Sequence, residues 1–251
     1  MAHQLRLLGI HREVERRCQQ ALADSLHPAE LVRLLLEDEL QSRREATAKR
    51  LVSQAKFRNR NQLEEWDDTF DRGISKAKFK ELALLNFFHR GQNLLILGKT
   101  GVGKTHLASS LGNRLCFEAA TTKFYSTHLF LDEAMAEKVA GRYLHFVRRA
   151  AKMKAIILDD FGLRAYTHDE ATILLEVLEE RYGKGTLIVT SQVSPDGWRS
   201  LFEDPVIAEA IVDRMVNPSQ VIDLQGISYR KRRNENLTHP EESAKKKTER
   251  R

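Results

Sequence analysis

The chain has 251 residues, 41% of them hydrophobic and 30% charged, with a formal net charge of +6. That length and composition describe a globular protein with one good core and a smaller unit beside it. Cys18 and Cys116 form no CxxC pair and no apolar run is long enough for a secretory h-region or a membrane helix. A disulfide framework, a cysteine metal site and a membrane span are therefore excluded, and a reduced cytoplasmic setting is expected.

Residues 1–62 read as a small helical domain, a helix pair or three-helix unit. No glycine occurs between Gly9 and Gly73, Pro28 suits the first turn of a helix, and Leu31, Leu34, Leu35, Leu40 and Leu51 recur at helical spacing. Residues 63–80 are polar and mixed, a junction. From 81 to 233 the texture changes. Short apolar runs, NLLIL, KFYST, AIILD, TLIVT and QVIDL, alternate with segments of helical periodicity, which predicts an α/β domain with a mostly parallel sheet. Residues 234–251 form a basic tail without apolar periodicity, expected to be disordered. Residues 227–251 hold nine Lys or Arg and four Glu, a net of +5, so the remaining chain carries only +1. Net charge alone is thus a weak argument for a polyanionic partner.

GKTGVGKT, residues 98–105, fits the pattern G-x-x-x-x-G-K-[ST] and stands between an apolar strand, Asn93 to Leu97, and helix-forming HLASSLGNRL. Gly98, Gly101 and Gly103 let the backbone turn tightly and aim its N–H groups at phosphate oxygens, and the helix that follows adds its positive end. Lys99, Thr100, Val102 and His106 complete the loop expected around ATP. Lys104 is the group that reaches the β- and γ-phosphates, and the Thr105 hydroxyl is the expected Mg²⁺ ligand. KAIILDDFG puts Asp159 at the end of a strand, where it would hold Mg²⁺, with Asp160 beside it to polarise the attacking water. At the end of TLIVTSQ, Thr190, Ser191 or Gln192 could reach the γ-phosphate. Arg214 in AIVDRMVN stands beside an acid, the pattern of a local ion pair.

GKTGVGKTHLA, ILDDFG, LIVTSQ, the DRM triplet and GISYR follow one another as they do in IstB-like ATPases, AAA+ proteins related to the helicase loader DnaC. The leader LVRLLLEDELQSRREATAKRLVSQAKF is similar to that family's as well, so the resemblance covers about residues 20–233. It implies an AAA+ P-loop fold with strand order 5-1-4-3-2 behind a small all-α domain. It implies Mg²⁺-dependent ATP hydrolysis, homo-oligomers that share ATP between subunits, duplex DNA as ligand and the transposase IstA as partner. Carried over by position, Gln192 (or Ser191) is the sensor, Arg214 the arginine finger reaching a neighbour's ATP, and Arg230 a nucleotide-sensing or interface residue. Trp66 or Phe70 would cover the adenine.

One stretch remains, KVAGRYLHFVRRAAKMK at 138–154, with six Lys or Arg and no acid. On helical spacing Lys138, Arg142, Arg149 and Lys152 share a face with His145, with Arg148 beside them, while Val139, Tyr143, Phe146, Ala150 and Met153 share the other. Gly141 can divide it into two helices. In this family context the cationic face is a candidate for DNA-phosphate contacts with little sequence specificity. The competing expectation is a solvated face neutralised by acids such as Glu133 and Glu137. Arg43, Arg44, Lys49 and Arg50 make a second basic patch in the leader. Two other functions use the same loop: a helicase loader on single-stranded DNA, and a small-molecule kinase, which the basic helix and the leader disfavour.

Overall fold

The computed structural model describes residues 4–59, 62–67 and 71–229. Arg230, Phe70 and the tail after residue 229 lie outside the described residues.

The leader is a helix pair, α1 (Leu8–Ala23) and α2 (Pro28–Ala55). Proline at the first turn and the His27 side chain, which accepts from the Ala29 N–H, start α2. The pair crosses closely at Gly9, where a Cβ would lie 2.5 Å from the Asp38 carbonyl. There the buried Glu39 carboxylate accepts from the N–H groups of Gly9 and Ile10 in the first turn of α1, and Arg17 pairs with Asp38 through both oxygens. A buried acid at a helix N-terminus both satisfies orphan donors and meets the positive end of the dipole. The last turns of α2 belong to the main body: Leu51 and Ala55 pack on Cys116. Phe57 follows them against Gly112, whose missing side chain makes the room, since a Cβ there would come within 2.7 Å of the Phe57 ring.

After a 3-10 turn at Leu63–Glu65 come α3 (Lys76–Ala83) and α4 (Asn86–His89). The α/β body then runs β1 (Asn93–Gly98), α5 (Lys104–Phe117), β2 (Thr122–Ser126), α6 (Thr127–Val139), α7 (Tyr143–Lys152), β3 (Ala155–Phe161), α8 (His168–Arg181), β4 (Thr186–Ser191), α9 (Pro195–Trp198), α10 (Pro205–Val216) and β5 (Ser219–Leu224). The sheet order is β2-β3-β4-β1-β5 and every pairing is parallel. This is the expected 5-1-4-3-2 order, and each apolar run singled out in the sequence is a strand within two residues of its expected bounds.

Strand residues alternate between two cores because successive side chains point to opposite faces. Leu94, Ile96, Ala155 and Ile157 join α5 and α3 on one side. Leu95, Ile156 and Leu158 join α6, α7, α8 and α10 on the other. With both faces covered, the strands read as continuous apolar runs. No helix among the described residues is long and apolar enough to cross a membrane.

Candidate functional site

The loop between β1 and α5 owes its shape to glycines with positive φ. Gly98 has φ +140° and lies where a Cβ would be 2.3 Å from the Leu224 carbonyl of β5; Gly101 has φ +85° and lies where a Cβ would be 2.2 Å from the Ser228 hydroxyl. No L side chain fits either position. Gly103 is the N-cap of α5, so the first helical N–H groups, Lys104 among them, open towards the loop. The Lys104 ammonium donates to the carbonyls of Gly98 at 2.8 Å and Lys99 at 3.0 Å, which fixes it across the mouth. The chain returns to this loop at its far end, where the Tyr229 N–H donates to the Gly101 carbonyl at 2.9 Å.

Parallel neighbours β3 and β4 end beside the loop. Thr105 donates to both Asp159 oxygens at 3.0 and 3.1 Å, and Thr190 donates to Asp159 Oδ1 at 2.6 Å. The same Thr190 hydroxyl accepts the Asp160 N–H at 2.9 Å. Asp160 is left-handed, φ +59°, at the register shift where β3 parts from β4. A non-glycine residue rarely sits there, and aspartate is one of the few that tolerates it. Thr190 therefore pins both acids, one by its carboxylate and one by its backbone. Thr127 adds a bond to the Asp159 carbonyl at 2.9 Å.

Burial lifts the Asp159 carboxyl above its ordinary range; the Thr190 hydroxyl pulls it back, the Asp160 charge pushes it further up, and Thr105 and Arg58 oppose the rise. A cation bound at Asp159 would favour the ionised form against that burial. The donor set fits Mg²⁺ and a nucleotide: a hydroxyl and a carboxylate already 3.0 Å apart, oxygen ligands only, next to a glycine loop that opens the N-terminus of α5. Mg²⁺ characteristically takes one or two protein oxygens and completes its shell with phosphate and water.

Thr190→Val keeps the shape of the side chain, removes the bond to Asp159 and strands the Asp160 N–H. Any phosphoryl-transfer rate that this site supports is expected to fall about tenfold or more, the effect of one charge-assisted hydrogen bond. Because the hydroxyl holds the Asp159 pKa down, the acid limb of the pH profile moves to higher pH. Thr190→Ser restores both; a Val variant with an unmoved acid limb contradicts the assignment.

Of the other strand-end residues, Ser191 is turned into the core, donating to the Phe161 carbonyl at 2.7 Å and accepting from Trp198 Nε1 at 3.2 Å. Gln192 reaches the loop instead, its Oε1 accepting from Thr100 at 2.6 Å. Arg214 lies on α10, bonded to Asp213 at 3.0 Å and placed 5.2 Å over the Tyr182 ring. Trp66 stands at the start of α5, 5.8 Å from the His106 ring, stacked on Phe79 at 5.5 Å and covered by the Arg72 guanidinium at 3.8 Å. Burial, and then the charge of Arg72, pull the His106 pKa down. Arg72 in turn lies 4.8 Å from the Tyr229 ring, so the residues before the loop and after β5 meet beside it.

The cationic stretch takes the divided form that Gly141 permits. It breaks at Gly141, φ +71°, into the end of α6 and α7. Phe146, Val147 and Ala150 are buried, but Val139, expected against the sheet, is 92% exposed. The break turns the end of α6 away from the plane of α7, which is why spacing carried across it misplaces Val139. Lys138 pairs with Asp169, Arg142 with Glu137 and Arg149 with Glu133. Arg148 and Lys152 are exposed. The paired side chains are largely exposed too, and such pairs are worth about 0–1 kcal/mol, so they exchange readily for a phosphate.

Two residues at the site had no signal in the sequence. Arg58, just past α2, brings its guanidinium to 4.0 Å from Asp160 Oδ2. Arg72 sits in a polar junction and reaches the loop only through the fold.

A family model described as IstB-like ATP binding protein matches residues 1–236. An insertion-sequence ATP-binding protein of Mycobacterium tuberculosis is 32% identical over 230 residues, covering 91% of this chain and 92% of that one. The IS21 ATP-binding protein of Pseudomonas aeruginosa is 30% identical over 226 residues, 90% of this chain and 85% of that one. Among solved structures, the DnaC helicase loader superposes with a TM-score of 0.53 at 20% identity, over 68% of this chain and 99% of that chain. AMPPCP-bound DnaA from Aquifex aeolicus gives 0.55 at 17%, over 68% and 51%. At these identities the likeness is one of fold, the AAA+ fold.

Proposed function

The chain belongs to the family of IstB-like ATP binding proteins, and from that premise we propose that it is a Mg²⁺-dependent ATPase that assembles on duplex DNA. In this reading it binds target DNA with little sequence preference and assists the transposase IstA of an insertion sequence. The observation that carries the chemistry is the single bonded set Thr105–Asp159–Thr190–Asp160 beside the glycine loop.

ATP is held by the loop from Gly98 to His106, with Trp66 on the base side. Thr105 and Asp159 are the residues that would hold Mg²⁺, which supplies charge neutralisation at the phosphates when bound. Lys104, fixed by two carbonyls, neutralises charge that builds on the transferring phosphoryl group. Asp160 accepts a proton from, and orients, the attacking water, with its backbone already clamped by Thr190. Gln192 sits by Thr100 at the γ-phosphate side of the loop. Arg214 pairs with Asp213 and lies 5.2 Å over the Tyr182 ring; its position in the family pattern assigns it to a neighbouring copy's nucleotide, for which it would leave the Asp213 pair. Arg230 follows Tyr229 in sequence and is assigned a nucleotide-sensing role in the same assembly.

Phosphate release from ATP tests the hydrolytic part. Wild type is expected to turn over with Mg²⁺ and to stop when EDTA is added. Lys104→Ala is expected to lose at least about a hundredfold in kcat/KM, the scale for removing one preorganised charge-stabilising donor. Equal turnover by Lys104→Ala, or turnover indifferent to EDTA, would sink this reading.

A further inference from the structure

In the sequence the end of α2 and the basic stretch at 138–154 are far apart. In the fold they flank one cleft of about 1080 Å³. Gln54, Lys56 and Arg58 line its leader side, Phe146 and Arg149 its α7 side, and the edge strand β2 lies between them. Asp159 and Asp160 close its inner end. Along α2 the helical line through Gln54 runs back one turn to Arg50, which is exposed. The basic surface therefore continues out of the cleft along the leader.

The cations in the cleft crowd one another. Lys123, half-buried on β2, donates to the Gln54 carbonyl at 2.8 Å. Burial, then the charge of Lys56, pull its pKa below the ordinary lysine value; Arg149 adds to the pull and Glu133 opposes it. Glu133 already carries Arg149, and the remaining acids of the lining are the two at the active site. Convergent like charges between apolar walls such as Leu51, Phe124 and Met153 call for an anion, because low-dielectric walls strengthen both the repulsion and its relief.

We propose that this cleft seats a phosphodiester backbone of DNA through Arg50, Lys56, Lys123 and Arg149, and that Arg58 at its inner end is a positioning residue linking that backbone to Asp160. The proposal rests on the DNA-binding reading above and deepens it. One strand's backbone lies along the mouth of the cleft. Arg58 is 64% exposed and stands 4.0 Å from Asp160, an ion pair loose enough to exchange. A phosphate offers the guanidinium a bidentate partner and draws it off the carboxylate. The Asp160 backbone stays clamped by Thr190, so the side chain alone is freed, and ATP hydrolysis becomes responsive to DNA.

The test uses the full chain, a fluorescent random-sequence duplex and an ATP analogue, with binding read by anisotropy across salt. The double variant Arg50→Gln, Lys56→Gln is expected to bind about tenfold more weakly at ~0.1 M salt, with a log–log salt slope shallower by about 1.8, the loss of two phosphate contacts. Its melting temperature should stay with wild type, and Arg50→Lys with Lys56→Arg should restore binding. Arg58→Gln should keep DNA affinity within about threefold while its DNA-free ATPase rises about fivefold or more towards the DNA-stimulated wild-type rate, with KM for ATP unmoved. A double variant with wild-type affinity and slope overturns the cleft. So does a double variant that binds DNA normally but no longer binds a polyglutamate peptide held by wild type, which assigns the cleft to an acidic protein segment. An Arg58→Gln protein slowed equally with and without DNA overturns the link to Asp160. If wild type itself binds no duplex, the DNA-binding reading fails first, and that result is distinct from a failure of the cleft.

Discussion

Asp160→Asn is expected to lower kcat for ATP hydrolysis by about 10²–10⁴-fold, the range for removing a positioned general base. ATP affinity should change by less than about threefold, because Asp160 lies beyond the loop and the Thr105–Asp159 pair that hold the nucleotide and its cation. The substitution keeps the size of the side chain and the tolerance of asparagine for left-handed backbone, so the φ of +59° is preserved. A variant that still hydrolyses within a few-fold of wild type would move the water-activating role elsewhere. A variant that no longer binds ATP would mean that Asp160 supports the loop rather than the chemistry.

The second large effect is on stability and comes from a residue outside the active site. Arg181, at the end of α8, is 2% exposed. It donates to the carbonyls of Met153 at 3.0 Å and Thr186 at 3.1 Å, and to that of Ala150. Burial pulls its pKa down to about 10, still charged at neutral pH. One guanidinium therefore satisfies the C-terminal end of α7 and the start of β4, and meets the negative end of the α7 dipole. Glycine at 185 makes the room, since a Cβ there would sit 2.8 Å from Arg181 Nη2. Arg181→Ala removes three charge-assisted hydrogen bonds to carbonyls and opens a cavity. The expected loss is about 3–5 kcal/mol, or roughly 6–20 °C in melting temperature for a protein of this size. A melting temperature within about 2 °C of wild type would contradict this account.

These two residues differ in how they announce themselves. Asp160 is legible because it directly follows an acid at the end of an apolar run, downstream of a glycine loop, and that chemistry is local. The strands were legible for the same reason: a sheet covered on both faces writes each strand as a short unbroken apolar segment. Arg181 looks like any arginine at a helix end. Its three carbonyl partners come from α7, the turn after it and β4, and no local pattern encodes that meeting. The same holds for Arg58, which reads as part of a polar junction until α2 docks through Leu51, Ala55 and Phe57. Thr190 was one of three candidates at a strand end. Only the register between β3 and β4 separates its role from that of Ser191, which the core takes, and that of Gln192, which the loop takes. The basic stretch was legible as charge, and its division at Gly141 and the acids Glu133 and Glu137 were among the expectations, while the exposure of Val139 and the reach of Asp169 were not. A single glycine changed the axis, and acids on α6 and α8 came into reach of its cations.

The central claim is that ATP gates the seating of this chain on DNA. Its most direct test is the mobility of a random-sequence duplex mixed with the protein in three conditions: ATP with Mg²⁺, ATP with EDTA, and no nucleotide. The account predicts large, slow complexes with ATP and Mg²⁺ alone, and none with Lys104→Ala under any condition. Equal complexes without nucleotide, or with Lys104→Ala, would contradict it.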